Sequence, residues 1–351
     1  NTTVTSNSGT AGDAQLGLDA FVPAGYASWQ FTKDMWVGLS LNAPFGLGTR
    51  APVNWTGSLF NRTSQLKTYD TTVSLGYEVN DRLSVGFGLQ MALVKVRMNN
   101  ARVSLATNAD TSELSGDAWS PGFTLGFTLK PWNGGEIGVG YRSRRTPMLE
   151  GVQDRYTTAG APVTSYDIQS AIRLPDSVNI GFRQQITSDF TALAGFEWTH
   201  WSVWSTFPVY VRNNSAATPT TLIFNYHDSW FASVGGEYKW NKETTLRFGL
   251  GYENAPVQDN NRSNRIPDAN RIWASLGASY QWDERLTLEA AYSHLFVRNG
   301  VINQSGTYYA PGATTFNYSA DMKAHTDIIS VGLNYKLGAE PKKTNKAMIT
   351  K

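Results

Sequence analysis

The chain has 351 residues, 17% of them charged, with a formal net charge of +2 and no cysteine; this argues against a nucleic-acid partner and excludes a disulfide framework or a thiolate metal site. Mean hydropathy is −0.33. No apolar run approaches the ~18 residues that a spanning helix needs, so a helical membrane protein is excluded.

Along the chain, residues 1–15 read as a polar stretch. A first strand over about 17–31 ends at the turn Thr32-Lys33-Asp34, and a second runs from Trp36 to Leu41. Apolar alternation then recurs over 83–93, 123–129, 137–141, 178–182, 190–198, 234–240, 246–252, 272–282, 286–292 and 329–337. It is plainest at Ile272, Ala274, Leu276, Ala278, Tyr280 and Trp282, where Ser275, Gly277, Ser279 and Gln281 fill the gaps. Such a two-residue period means a strand with one apolar and one polar face. Repeated in segments of about ten residues, it is the pattern of a transmembrane β-barrel. Tryptophans close many segments (Trp29, Trp119, Trp132, Trp198, Trp230, Trp240, Trp282), as interfacial girdles require.

The connections alternate in length. Short turns fall at 32–34, 80–81, 131–135, 188–189, 241–243 and 283–284, and long polar stretches at 48–64, 99–116, 144–166, 203–227, 254–270 and 298–322. Short turns on one side and long loops on the other match the periplasmic and extracellular faces of an outer-membrane barrel. The reading is one barrel domain over 16–337, preceded by 1–15 as the remnant of an extracellular loop and followed by a polar tail, 338–351. About thirteen strands are counted. Single-chain bacterial barrels have an even number, so one strand and whatever precedes it are expected to be absent from this sequence, leaving a seam in the wall; the other reading is a strand missed in the count.

The segments Glu253-Asn254-Ala255-Pro256-Val257, Ile266-Pro267-Asp268-Ala269-Asn270-Arg271, Asn42-Ala43-Pro44-Phe45-Gly46-Leu47, Leu174-Pro175-Asp176-Ser177 and Trp198-Thr199-His200-Trp201-Ser202 resemble, in colinear order, the FadL/TodX family of outer-membrane transporters of hydrophobic compounds. The resemblance spans about 16–337. It implies an all-β, transmembrane antiparallel barrel of fourteen strands with an N-terminal hatch and a lateral opening beside a kink in the third strand. Aligned so, the strands of this chain correspond to the second through the fourteenth, and the hatch and first strand are what is absent.

Proline lacks a ladder donor and glycine a packing side chain, so pairing is expected to fail at Asn42, Pro44 and Gly46. By resemblance this is the lateral opening; otherwise it is a strand end above the membrane. Trp55, Leu59 and Phe60 put apolar side chains in a loop expected to meet water, where exposed apolar clusters mark binding surfaces. Trp201, Trp204, Phe207 and Tyr210 form a second aromatic group, in which Trp201 reads as a girdle residue. The expected ligand contacts are Phe45, Leu47, Trp55, Leu59, Phe60, Trp204 and Phe207. By parity the polar face carries Glu78, Arg142, Arg183, Glu197, Arg247, Glu253 and Glu289, expected to pair within the wall, with none singled out for a ligand. Lys95 and Arg97 point outward by the same parity.

No catalytic group is expected. Ser293 and His294 are adjacent, so in a strand their side chains leave opposite faces, and the four histidines form no ligand spacing for a metal. No cofactor is called for. The reading is a monomeric channel of the Gram-negative outer membrane, embedded in lipid or detergent, passively admitting a hydrophobic small molecule such as a fatty acid or an aromatic hydrocarbon. A general aqueous pore, distinguished by conductance, and a barrel enzyme, distinguished by a lipase or protease assay, are the other readings.

Overall fold

Alternating apolar residues serve only an extended chain, whose successive side chains leave opposite faces. The computed structural model describes residues 1–7, 14–53, 55–101, 111–156, 162–212, 214, 220–310 and 312–338. Of the tail 338–351, only Gly338 is among them. The strands begin with β1 (Thr2–Ser6), β2 (Ala14–Gln15), β3 (Gly25–Gln30), β4 (Met35–Asn42), β5 (Gly46–Arg50), β6 (Thr63–Asn80), β7 (Leu83–Ala101) and β8 (Thr111–Leu129). There follow β9 (Gly135–Arg142), β10 (Met148–Tyr156), β11 (Pro162–Ala171), β12 (Ser177–Gln185), β13 (Phe190–Thr199), β14 (Thr206–Val211) and β15 (Thr220–Ile223). The last are β16 (Ser229–Lys239), β17 (Thr244–Asn254), β18 (Arg271–Gln281), β19 (Leu286–Val297), β20 (Gly300–Ala310) and β21 (Gly312–Tyr335).

Pairing is antiparallel throughout these ladders. Three pairs of segments act as one strand each: β4 and β5 lie along β6, β9 and β10 lie along β8, and β11 and β12 answer β10 and β9. Counted so, the wall runs β3, β4/β5, β6, β7, β8, β9/β10, β11/β12, β13, β16, β17, β18, β19, β21, thirteen positions among the described residues. β14 and β15 form a hairpin between β13 and β16, and β20 folds back on the upper part of β21. β1 pairs with that same upper part, from Thr2↔Ala324 to Ser6↔Ala320. Below it, β21 has β19 as its one partner among the described residues, and β3 has only β4. These two edges are open, and Ile329, Val331 and Leu333 beside one of them are 77–85% exposed.

Part of what reads as loop in sequence is strand. β7 and β8 climb into 99–116, and the hairpins β10–β11 and β20–β21 fill much of 144–166 and 298–322. Above the membrane both faces of a hairpin meet water, so its side chains lose the apolar beat while its backbone ladder persists.

The lipid-facing surface is ordered in rows. Across β6, β7 and β8 the outward sets are Tyr77–Val85–Phe127, Leu75–Phe87–Leu125, Val73–Leu89–Phe123 and Thr71–Met91–Pro121, topped by Tyr69–Leu93–Trp119. Tyr69 and Trp119 are 51% and 65% exposed, which suits the upper girdle. The two rows above are Lys67–Lys95–Asp117 and Gln65–Arg97–Ser115.

Candidate functional site

At the girdle the hydrophobic beat changes phase. In β7 the apolar series Val85, Phe87, Leu89, Met91, Leu93 faces outward, and immediately above it Val94, Val96 and Met98 carry apolar character inward while Lys95 and Arg97 face out. In β6 Leu66 likewise points in and Lys67 out. A barrel that continued polar-in would be wet here; this one places a greasy zone in the upper lumen.

That zone is an apolar cluster of Leu66, Ala92, Val94, Leu149, Ile172, Leu174, Val203, Trp204, Phe207, Phe224, Tyr226 and Val257, with Phe45, Leu47 and Trp201 packed against it. Trp204 is its centre, 2% exposed. Its ring meets Trp201, Phe207 and Phe224 edge-on at 5.3, 5.3 and 5.1 Å and stacks on Tyr226 at 5.8 Å. Its indole N–H donates to the Arg173 carbonyl, which satisfies the one polar atom that such burial strands. Burial, and then the charge of Asp268, push the Tyr226 phenol well above its ordinary pKa. A narrow apolar cavity of about 60 Å³ lies between this cluster and the wall, bounded by Val96, Met98, Leu149, Ile168, Trp204 and Phe207 among others.

The floor of the cluster is charged. Asp70, one inward position below Thr68, has no exposed side-chain surface; it accepts a hydrogen bond from Arg142 at 3.1 Å and forms an ion pair with Arg145 at 2.9 Å. The Gln90 side-chain amide N–H donates to Asp70 at 3.4 Å and to the Thr72 hydroxyl at 3.2 Å. The Arg145 side chain is itself fully buried. It lies against Gly122, where a Cβ would come within 2.6 Å of its Cδ. The backbone of Arg145 exchanges hydrogen bonds with Leu174, a member of the cluster above. Two guanidiniums face this one carboxylate, and Glu197 also lies within electrostatic reach of Arg142.

Beside the floor the wall is broken. Asn42 opposes Asp70 and Gly46 opposes Lys67, so four steps on one strand answer three on the other, which is a β-bulge with one extra residue. Thr68 closes the bulge from within: its hydroxyl donates to the Phe45 carbonyl at 2.6 Å and accepts from the Phe45 N–H at 3.0 Å. On the other edge the ladder Gly25↔Leu41 stops, and the next contact is the bridge Gly17↔Thr49. No ladder joins residues 18–24 to 42–48. Phe21 and Val22 in that stretch are 92% and 64% exposed. The break stands at the level of Tyr69, the upper edge of the apolar belt.

The seven expected contact residues divide. Phe45, Leu47, Trp204 and Phe207 meet in the cluster, Phe45 lying edge-on to Trp201 at 6.0 Å. Trp201 therefore packs inward and not in the girdle. Trp55, Leu59 and Phe60 are buried, not water-facing, because the 3-10 turn Thr56–Leu59 folds them under. Trp55 and Phe60 join a second cluster with Val4, Leu16, Ile302, Tyr318 and Met322; Trp55 lies edge-on to Tyr318 at 6.0 Å and donates to the Asn61 carbonyl at 2.8 Å. Of the three positions at which pairing is expected to fail, Asn42 and Gly46 keep their partners on β6 and flank the bulge, and Pro44 lies within it. Among the lumen charges, Arg183 and Arg247 share Glu237 at 3.2 and 2.9 Å, and Glu253 holds Arg271 at 2.7 Å. Sequence reading includes Arg142 without distinguishing it and misses Asp70 and Arg145. The signal it could have used is the adjacent pair Leu93-Val94, where two neighbouring apolar residues reset the beat.

The model of the family described as "Outer membrane protein transport protein (OMPP1/FadL/TodX)" matches residues 1–337. The chain belongs to this family. Outer membrane protein P1 of Haemophilus influenzae is 24% identical over 93% of this chain and 77% of its own length. A long-chain fatty acid transport protein of Escherichia coli is 21% identical over 82% of this chain and 71% of that protein. Among solved structures, a Pseudomonas aeruginosa FadL homologue superposes with a TM-score of 0.82 at 23% identity, covering 92% of this chain and 79% of that one. The Pseudomonas putida toluene transporter TodX superposes at 0.69 with 17% identity, covering 95% and 87%. This FadL-family chain is thus an outer-membrane β-barrel of Gram-negative type and a transport protein, not an enzyme.

Proposed function

We propose that this protein admits hydrophobic small molecules across the outer membrane by passive diffusion, and that they leave the lumen sideways through the break at Pro44. The observation that carries the reading is the juxtaposition of an apolar cluster, a charged floor and a wall bulge at one level. Apolar surface leaving water contributes ~25 cal/mol per Å² without directional bonds, so the cluster around Trp204 can hold cargo of varied shape. Passing straight down would require it to cross Asp70, Arg142 and Arg145, groups whose desolvation or displacement is costly. The sideways route is bordered by Phe45 and Leu47 inside and by Leu41, Phe21 and Val22 outside.

Relatives named as fatty acid and toluene transporters support both an amphipathic and a neutral cargo. The protein acts as a monomer in outer-membrane lipid. The apolar cluster and its ion-paired floor disfavour a wide aqueous pore.

Deleting Pro44 tests the exit. The deletion removes the one extra residue, letting β4 run into β5 in register with β6. Uptake of a fluorescent fatty acid and of toluene into vesicles should fall at least tenfold, while heat-modifiable migration on gels shows the barrel still folded. Undiminished uptake by a folded deletion variant would overturn the lateral route, and a large steady conductance of the parent chain would favour the pore.

A further inference from the structure

Two lysines stand where the outer wall leaves the apolar belt. Lys67 on β6 and Lys95 on β7 are register partners. Both are exposed and point outward, two residues above Tyr69 and Leu93. Like charges directly opposite in a sheet destabilise the pair, and among the described residues neither ammonium makes an ion pair or hydrogen bond. The neighbouring charges are largely committed elsewhere. Arg97 forms a two-pronged bond to Glu113 at 2.9 and 3.0 Å, and Glu150 binds Arg212 at 3.0 Å. Asp117 opposes Lys95 on its other side and Glu150 beyond. On its own other side Lys67 opposes Gly46, so the surplus positive charge gathers at the Lys67 end of the row.

The surface around these lysines is concave. A shallow recess of about 350 Å³ is lined by Gln65, Lys67, Lys95, Arg97, Asp117 and Glu150. Directly beneath it runs a column of exposed apolar side chains that includes Trp119 (65%), Leu89 (62%) and Val73 (54%). Successive outward rows are about 7 Å apart, so the ammonium groups stand at headgroup height immediately above the aromatic girdle.

We propose that this recess seats a phosphorylated lipid of the outer leaflet, its phosphate bridging Lys67 and Lys95 and its acyl chains lying down the column below. A phosphate removes the repulsion between the two ammoniums, and the apolar column supplies affinity that a free anion lacks. The site lies on the outer face, and its occupancy does not depend on which way cargo leaves the lumen.

The test compares the parent protein with Lys67→Gln/Lys95→Gln, each in detergent micelles, by native mass spectrometry against lipid A, its fully dephosphorylated form, and inorganic phosphate alone. The expected result is at least tenfold weaker retention of lipid A by the variant, and weak retention of dephosphorylated lipid A that is equal in both proteins. Millimolar inorganic phosphate should displace less than half of the lipid. Undiminished lipid A binding by the variant would overturn the proposal. So would complete displacement by millimolar phosphate, which would mean a simple anion site. Heat-modifiable migration and unchanged cargo uptake by the variant exclude misfolding as the cause of a loss.

Discussion

Replacing Asp70 by asparagine keeps the shape of the floor and removes the carboxylate that Arg142 and Arg145 share. Asp70 is sealed from solvent and is shared by Arg145 at 2.9 Å and Arg142 at 3.1 Å, with Arg145 equally sealed. Removing one member of a buried ion pair costs about 3–5 kcal/mol, because the partner is left charged and uncompensated. The upper part of that range is expected here, since two guanidiniums lose one carboxylate. Replacing all three at once, as Asp70→Leu with Arg142→Met and Arg145→Met, removes the charges together and is expected to be neutral or stabilising. Urea unfolding in a fixed detergent, followed by tryptophan fluorescence, reads both. An Asp70→Asn variant within about 1 kcal/mol of the parent, or a triple variant weaker than the single one, would refute the reasoning that the floor is a closed electrostatic unit. The triple variant carries a functional expectation too: with an apolar floor, cargo no longer needs the wall break, so deleting Pro44 in that background should cost less uptake than in the parent.

Trp204→Ala empties the centre of the cluster and should cost about 3–5 kcal/mol, with a parallel loss of cargo affinity measured by fluorescent-ligand displacement. Thr68→Val leaves the Phe45 N–H without its acceptor inside the bulge, at about 1–3 kcal/mol, which thermal unfolding can detect. Arg142→Gln removes the accessible positive charge of the floor, so binding of a fatty acid should fall severalfold relative to the fatty alcohol of equal length. In the short turn between β18 and β19, the N–H groups of Arg285 and Leu286 donate to Asp283 and hold its carboxyl below the usual carboxylate range. A lowered folded pKa gives stability that is present above the unfolded value near 3.8 and lost as pH falls through the folded one. The chemical shift of the Asp283 carboxyl should therefore titrate below that value, and Asp283→Ala should flatten the pH dependence of exchange at the Leu286 amide.

Local periodicity alone dictates the wall. Alternation at Ile272 to Trp282 or Val85 to Leu93 is a local property of the extended chain, and its repetition between connections that alternate short and long is the pattern of a barrel in lipid. The order of its strands follows because short turns such as Asp283-Glu284 force antiparallel neighbours. The outward parity of Lys95 and Arg97 was legible for the same reason. What lies inside depends on how distant strands come together. Asp70 lies 72 residues from Arg142, and it joins Arg142 and Arg145 in one unit only when the ladder β6–β7–β8–β9 curls round the lumen. Phe45 meets Trp201 because the bulge at Pro44 turns it inward, and Trp55 leaves water because β21 brings Tyr318 over it. Periodicity reports which face a side chain takes; it carries no information about what that face meets, since such contacts depend on how the whole sheet curls round the lumen.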